Sequence, residues 1–247
     1  MKERNVTLLS DLFERVGYRH SERFYKRLEA WVCFIKQLPN KPDGQIIELG
    51  SGISPKLLFA LDETGFSGTL TVVDLNDRAL SIQNYVASLL QPRFRLETKQ
   101  EDLFTTDFSS CSVVAGNHLL DDLVAFDFAK KFGIDYAAIF SDPTRQEEFW
   151  NTVANERTTG MEAVRKFCEK LAEVPQGCCV VFNHYPSNFD DKYGLRTRTI
   201  VANNLLGSLC LMLKERDFVD LGIDPKTEEM RWLVMRKQGV KVSGSLR

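Results

Sequence analysis

Residues 46–54 read IIELGSGIS, an apolar run followed by a loop that contains Gly50 and Gly52. Isoleucine and leucine favour a buried strand. Glycine costs conformational entropy, so it is useful where φ is positive or where a ligand approaches the main chain. The segment therefore predicts a strand followed by a ligand-binding turn.

Apolar runs alternate with amphipathic segments along the rest of the chain. The helical spacing of Ala79, Ile82, Val86 and Leu89 behind a possible N-cap at Asn76 is typical of the amphipathic segments. The apolar runs predict strands at 45–49, 69–74, 94–98, 112–116 and 178–183. This βαβα alternation predicts an α/β fold: a Rossmann-like, doubly wound and mainly parallel sheet covered on both faces.

The two ends of the chain depart from this alternation. Helical spacing between Phe24 and Leu38, behind a possible cap at Ser21, predicts an N-terminal helical extension over residues 1–42. The runs DFVDLGI and RWLVMRK lie too close together for a crossover helix, so they are expected to pair antiparallel. Residues 239–247 are expected to form a flexible tail.

One connection is longer than a single crossover helix requires. About sixty residues separate the fourth and fifth predicted strands, and they contain two helical patterns, at about 145–155 and at 161–171. We interpret residues 132–176 as a helical cap inserted into one domain that spans residues 43–238.

The composition limits the class of protein. The chain has 247 residues and a formal net charge of −2, which argues against binding nucleic acid through a basic face. No apolar run is long enough for a membrane span or a secretory signal. The six cysteines form no CxxC pair, so reduced thiols and a cytoplasmic location are expected.

A second feature supports a nucleoside ligand for the glycine loop. The next predicted strand, TLTVVDLND, carries Asp74 about twenty residues beyond Gly52, where a carboxylate can accept hydrogen bonds from ribose hydroxyls. Two alternatives to ligand binding are open. The glycine loop could be a strand-to-helix turn that binds no ligand, and Asp74 could belong only to the start of the following helix.

The segments ELGSGIS, VVDLND, QEDLF and VVAGNHLLDD resemble those of the S-adenosylmethionine-dependent methyltransferases of the Rossmann-like, seven-strand class. The resemblance covers residues 45–237. It implies S-adenosyl-L-methionine as cofactor, S-adenosyl-L-homocysteine as product, and RWLVMRK as the reversed seventh strand. Ser54 and Pro55 depart from the small residue usual at the end of the loop.

The resemblance also implies roles for individual residues. Glu48, Gly50 and Gly52 would surround the methionine part of the cofactor. Asp74 would hold the ribose, and Glu101 and Asp102 would border the adenine. The remaining cofactor contacts that we predict are Ser51, Leu75, Leu103 and Asn117.

Two other functions stay open at this point. A dinucleotide-binding oxidoreductase requires GxGxxG, but the sequence reads GSGISP, with Pro55 in the third glycine's place. A non-catalytic nucleoside-binding or scaffold protein would keep the fold without an acceptor site.

Both strands predicted to end near the acceptor finish with Asn-His. His118 and His184 are therefore candidate catalytic bases, since histidine titrates near neutral pH. For each histidine, the alternative is a purely structural role in a loop. For Asn117, the alternative is a role as the N-cap of a helix that starts at His118.

Other polar residues near these strand ends are candidates for the acceptor site. Asp121, Asp122 and Tyr185 are candidate substrate contacts, with Tyr193 as a further aromatic wall. The two aspartates would also suit a helix dipole. No metal is expected, because Asn117 and Asn183 at the strand ends are neutral. We expect a small or medium-sized organic acceptor, methylated on oxygen or nitrogen.

Overall fold

The computed structural model describes residues 7–10, 22–38, 44–139, 142–223, 225 and 230–239. They contain one seven-stranded sheet in the order β3-β2-β1-β4-β5-β7-β6. The strands are β1 (Gln45–Leu49), β2 (Thr69–Val73), β3 (Arg95–Lys99), β4 (Cys111–Asn117), β5 (Cys179–His184), β6 (Phe218–Asp220) and β7 (Arg231–Lys237).

Helices connect these strands. They are α1 (Glu22–Gln37), α2 (Lys56–Thr64), α3 (Asp77–Leu90), α4 (Leu119–Phe132), α5 (Tyr136–Ile139), α6 (Pro143–Asn155), α7 (Arg157–Leu171), α8 (Asn188–Tyr193) and α9 (Thr197–Lys214). Residues 7–10 are helical as well. The predicted Rossmann-like fold is confirmed. The proposed cap at Ser21 lies outside the described residues, as does all of the predicted tail except Gly239.

The chain divides into two compact units, the first of which contains the described residues up to Asn117 and those of the stretch 222–230. Its strands pair in parallel, with Leu49 opposite both Val73 and Gly116. The carboxyl ends of β1, β2 and β4 therefore lie side by side at one edge. Because the strand order reverses between β1 and β4, this edge is where α/β sheets bind ligands.

The second unit contains residues 118–221 and the described residues from Arg231 onward. Strand β7 pairs antiparallel with both β5 and β6, as predicted for the last two runs. Helix α9 packs against β5, β7, α6 and α7, and α7 also packs against α4. The long connection between β4 and β5 therefore supplies several of the helices around α9.

Helix α9 has one buried face, on which Ala202, Leu205, Leu209 and Leu213 recur at helical spacing. Arg198 lies one turn before Ala202 on the same face and is only 9% exposed. A guanidinium at such a position requires carboxylate partners, because an unpaired buried charge is strongly destabilising. None of the described helices is both long and apolar enough to cross a lipid bilayer.

Candidate functional site

The glycine loop, residues 50–55, follows β1 directly. Gly50 and Gly52 have φ values of 59° and 56°, in the left-handed region that favours glycine. The amide of Gly50 donates to the Val73 carbonyl at 2.8 Å, and a Cβ added to Gly52 would meet no atom within 4 Å. Ser51 is buried, and its hydroxyl donates to the Gly52 carbonyl at 3.3 Å. The loop therefore presents its main chain to open space.

Asp74 organises this loop. Its Oδ2 accepts from the Gly52 amide at 2.9 Å, and its Oδ1 accepts from the Asn76 amide at 2.8 Å. A carboxylate offers about four lone-pair sites, so the residue retains capacity to accept from a ligand. Asn76 caps α3 as predicted, accepting from the Arg78 amide at 3.0 Å.

Glu48 lies on β1, immediately before the loop, and is 2% exposed. Its Oε2 has no hydrogen-bond partner among the described residues. Burial raises the pKa of Glu48 to about 8, although the nearby Lys56 lowers it and Asp74 adds to the rise. A positively charged ligand group beside this carboxyl would favour its ionised form.

The predicted adenine-side residues follow β2 and β3. Leu75 is 56% exposed, and its carbonyl accepts from Gln100 Nε2 at 3.2 Å, which joins the ends of the two strands. Glu101 and Leu103 are partly buried, whereas Asp102 is exposed and accepts from the Phe104 amide at 3.0 Å. The structure thus brings together the predicted residues that follow the first three strands.

The alternative role of Asn117 as the N-cap of α4 is not the one found. Asn117 is the last residue of β4 and is 8% exposed, while His118 occupies the cap position with a φ of 61°. A left-handed conformation is strained for a histidine and is often found at functional sites. The His118 amide donates to the Asn183 carbonyl at 3.1 Å, which fixes this conformation next to the end of β5.

His118, Asp121, His184 and Arg198 form a group that we name the histidine cluster. Nδ1 of His118 lies 3.5 Å from Oδ2 of Asp121, and Nδ1 of His184 lies 3.6 Å from Oδ1 of Asp121. The imidazole rings pack edge to face, with their centroids 4.6 Å apart. The ring of Tyr185 is buried against His118 at 4.1 Å. Both candidate histidines therefore share one carboxylate.

Arg198 balances much of the charge. Its Nε and Nη2 lie 2.7 and 2.5 Å from Oδ2 of Asp121. Oδ1 of Asp122 is 3.4 Å from Nη2, and Oδ1 of Asp190 is 4.0 Å from Nη1. Burial alone would lower the pKa of Arg198, but the three carboxylates raise it. Burial would raise the pKa of Asp121, but Arg198 and the two histidines hold it well below its usual value.

His118 stays neutral in this environment. Burial lowers its pKa to about 4, even though the adjacent Asp121 favours the protonated form. A neutral imidazole offers one nitrogen lone pair, which can accept a proton or bind a metal ion. Tyr193, the further aromatic candidate, is 45% exposed and lies 4.7 Å from the ammonium group of Lys192.

Residues of the long connection contact Arg198 and two carboxylates beside it. Gln146 on α6 donates from Nε2 to Oδ1 of Asp190 at 3.2 Å, and the Trp150 ring lies 5.9 Å from the Arg198 guanidinium carbon. Tyr136 donates its hydroxyl to Oδ1 of Asp122 at 3.2 Å. The helices between β4 and β5 thus contribute both polar and aromatic groups to this region.

Sequence reasoning missed Arg198, Asp190 and Gln146. For Arg198 a signal existed, since it is a lone cation at helical spacing from Ala202 and Leu205 on an apolar face. Asp190 closes a capping box with Ser187 at the start of α8, and Gln146 lies on an ordinary amphipathic helix. Their proximity to Arg198 is a long-range contact that local spacing does not encode.

Comparison with known proteins gives a fold but no close relative. No protein-family model and no curated protein matches the chain. Many solved structures do match it, at sequence identities that indicate a shared fold alone.

Three of the matching structures, each with a TM-score above 0.5, illustrate the likeness. A methyltransferase from Aquifex aeolicus, described as S-adenosylmethionine-dependent, is 12% identical, with 85% of this chain and 91% of that chain covered and a TM-score of 0.54. Magnesium protoporphyrin IX methyltransferase from Synechocystis, with bound S-adenosylhomocysteine, is 11% identical, with 94% and 99% covered and a TM-score of 0.53. An O-methyltransferase family 2 protein from Planctomyces limnophilus, in complex with apigenin, is 11% identical, with 95% and 62% covered and a TM-score of 0.52.

Proposed function

We propose that this protein transfers a methyl group from S-adenosyl-L-methionine to a hydroxyl or amine of a small or medium-sized organic acceptor. The observation that carries the proposal is the edge formed by β1 and β2, where two left-handed glycines, a buried acid and Asp74 adjoin. The solved structures of the same fold support it, since the Synechocystis enzyme was obtained with S-adenosylhomocysteine.

The residues at this edge fit such a nucleoside. Glu48, with its unpartnered buried oxygen, would attract the positively charged methionine end, and the open space above Gly52 leaves room for it. The free lone pairs of Asp74 would accept from the ribose hydroxyls. The exposed side chain of Leu75 would pack against the base, with Glu101, Asp102 and Leu103 beside it. Ser51 and Asn117 would complete the contacts.

The chemistry of the bound cofactor is that of an electrophilic methyl group on a sulfonium. The protein must align the acceptor, exclude water and remove the proton that an attacking hydroxyl, or the ammonium form of an amine, has to lose. We propose that the histidine cluster serves the acceptor, because two imidazoles and a buried carboxylate converge there. Asp122 and Tyr185 would contact the acceptor, and the helices of residues 132–176 would cover it.

Asp74→Ala is expected to weaken S-adenosylmethionine binding about ten- to a hundredfold, because it removes charge-assisted hydrogen bonds worth about 1.5 to 3 kcal/mol. Isothermal titration calorimetry measures the affinity. Asp77→Ala is the matched control, since Asp77 is an exposed carboxylate in the first turn of α3.

Three outcomes would contradict parts of this proposal. Unchanged affinity in a folded Asp74→Ala protein would limit Asp74 to organising the glycine loop. Binding of NADH, with no binding of S-adenosylmethionine or S-adenosylhomocysteine, would replace the methyltransferase proposal with a dinucleotide-binding one. Binding of the sulfur nucleosides without transfer to any acceptor would favour a scaffold protein.

His118→Gln and His184→Gln should each lower kcat about a hundredfold, the lower end of what a group assisting proton removal contributes. The affinity for S-adenosylmethionine should remain within about twofold of the parent, because general catalysis acts on the transition state rather than on cofactor binding. The acceptor would first be identified by transfer of isotope-labelled methyl groups to a panel of phenols, carboxylic acids and amines. Turnover at the parental rate in both variants would show that neither histidine takes part in the reaction.

A further inference from the structure

We infer that His118, Asp121 and His184 form a binding site for one divalent transition-metal ion. Within the described part of the chain, this is the one set of three His, Cys, Asp or Glu side chains whose ligand atoms all lie within 4.8 Å of one another. Asn117 and Asn183, whose neutrality led us to expect no metal, are not the ligands. In the structure, the ligands are the residues that follow them, joined by Asp121 from α4.

The distances suit ligands of a common ion better than they suit hydrogen bonds. The two histidine Nδ1 atoms lie 3.5 and 3.6 Å from the oxygens of Asp121, at or beyond the outer limit for a hydrogen bond. Two ligand atoms at about 2.1 Å from one ion, in tetrahedral geometry, are about 3.4 Å apart. Those two contacts are to different oxygens of Asp121, and ligand atoms of the three side chains all lie within 4.8 Å of one another. Shifts of roughly 1 Å would therefore bring one atom of each side chain around an ion.

Four buried polar atoms of these three side chains have no hydrogen-bond partner among the described residues. They are Nε2 of His118, both ring nitrogens of His184, and Oδ1 of Asp121. His184 is 2% exposed and Asp121 is fully buried. Leaving a buried polar atom unpaired costs about 1 to 3 kcal/mol, so several such atoms in one place point to a ligand that pairs them.

The surrounding charge also favours a cation. Three carboxylates, those of Asp121, Asp122 and Asp190, lie within 4.0 Å of the guanidinium of Arg198. Asp122 is half exposed, so water screens part of its charge. The concentration of negative charge beside the two imidazoles would attract a divalent cation.

Arg198 has two opposite effects on the binding of a metal ion at this site. As a cation it opposes a second positive charge nearby. However, both of its short contacts are to Oδ2 of Asp121, which leaves Oδ1 available and fixes the direction in which it points. Carboxylate ligands are commonly held in this way by an outer hydrogen-bonding partner.

The ligand set selects the class of metal. Imidazole nitrogens suit zinc, cobalt, nickel, copper and iron, whereas magnesium and calcium prefer oxygen ligands. Three protein ligands also leave a position open for a substrate oxygen or nitrogen. Metal binding does not depend on the proposed methyl transfer. A catalytic role of the ion does rest on that proposed function, in which the ion would make an acceptor hydroxyl more acidic.

Titration of the chelator-treated, full-length protein with Co²⁺ alone tests the site. We expect saturable binding of one Co²⁺ per chain, with visible d–d absorption of nitrogen and oxygen ligation and no thiolate charge-transfer band. His184→Gln and His118→Gln should each weaken binding at least about a hundredfold, more than loss of an outer-shell partner alone commonly costs. Zn²⁺ should displace Co²⁺.

The matched control is Asp122→Asn, which removes a neighbouring carboxylate that is not one of the three ligands and should change Co²⁺ affinity less than tenfold. Circular dichroism would establish that each variant is folded. Absence of saturable Co²⁺ binding in the parent, unchanged binding in His184→Gln, or a thiolate band from the cysteines would each overturn the inference. S-adenosylmethionine titrations of the same samples report on the proposed function separately, since they require no metal.

Discussion

Replacing Arg198 with methionine is expected to lower the free energy of unfolding by about 3 to 5 kcal/mol, the cost of removing one partner from a buried ion pair. Methionine keeps most of the side-chain volume, so the loss is electrostatic. It leaves the fully buried carboxylate of Asp121 and the buried carboxylate of Asp190 without their cation. Urea denaturation in the presence of a chelator measures the change.

Two variants serve as controls for this experiment. Arg165→Met removes an exposed arginine from α7 and should change stability by less than about 0.5 kcal/mol. Arg198→Met combined with Asp121→Leu should recover part of the loss, because removing both members of a buried pair is far less costly than removing one. A loss below about 1 kcal/mol in Arg198→Met would mean that water reaches the pair and screens it.

Glu48 is expected to make stability fall as the pH rises. Its pKa is raised in the folded protein from an ordinary 4.5 to about 8. Below the lower value both states are protonated, and Glu48 contributes nothing to the pH dependence. Between the two values the unfolded chain releases a proton that the folded protein keeps, so unfolding becomes more favourable. At 1.36 kcal/mol per pH unit, the accumulated cost above pH 8 is at most about 5 kcal/mol.

Glu48→Gln should remove this dependence. The variant should match the parent near pH 5 and be more stable by several kcal/mol near pH 8, as measured by urea midpoints across that range. Glu29→Gln is the control, since the exposed carboxylate of Glu29 on α1 is hydrated in both states. Parallel pH profiles for Glu48→Gln and the parent would show that the Glu48 carboxyl is ionised in the folded protein.

The same linkage predicts the sign of the pH dependence of affinity for the proposed cofactor. If a cationic ligand group favours ionised Glu48, then binding releases a proton, and affinity rises with pH up to about 8. The cofactor would therefore offset at high pH the stability that Glu48 costs there. Ligand affinity that rises with pH, while the stability of the free protein falls with pH, distinguishes a ligand-binding carboxyl from one that is merely buried.

The sequence was sufficient for the sheet and for the glycine loop, because both are encoded locally. Apolar runs of four to seven residues marked the strands, and the loop glycines were required by their positive φ values. The cap of α3 at Asn76 was predicted for the same reason. In each case the physical cause acts within a few residues of its signal.

The histidine cluster was predicted only in part. His118 and His184 were identified because each follows a strand, but their common partner is a buried aspartate paired with Arg198 from a distant helix. Asparagine is a good N-cap in general, but the alternative of a cap at Asn117 is not realised, because β4 extends through Asn117 and places His118 in the cap position. These features depend on tertiary contacts that no single-sequence pattern specifies.

The boundary between the two units falls at the peptide bond that joins Asn117 to His118. All proposed cofactor contacts precede that bond, and the whole histidine cluster follows it. Under the proposed function, libraries that vary only residues 118–214 would search for new acceptors while the proposed nucleoside-binding sequence stays constant. Directed evolution of the proposed acceptor preference would then act on one contiguous segment of the gene.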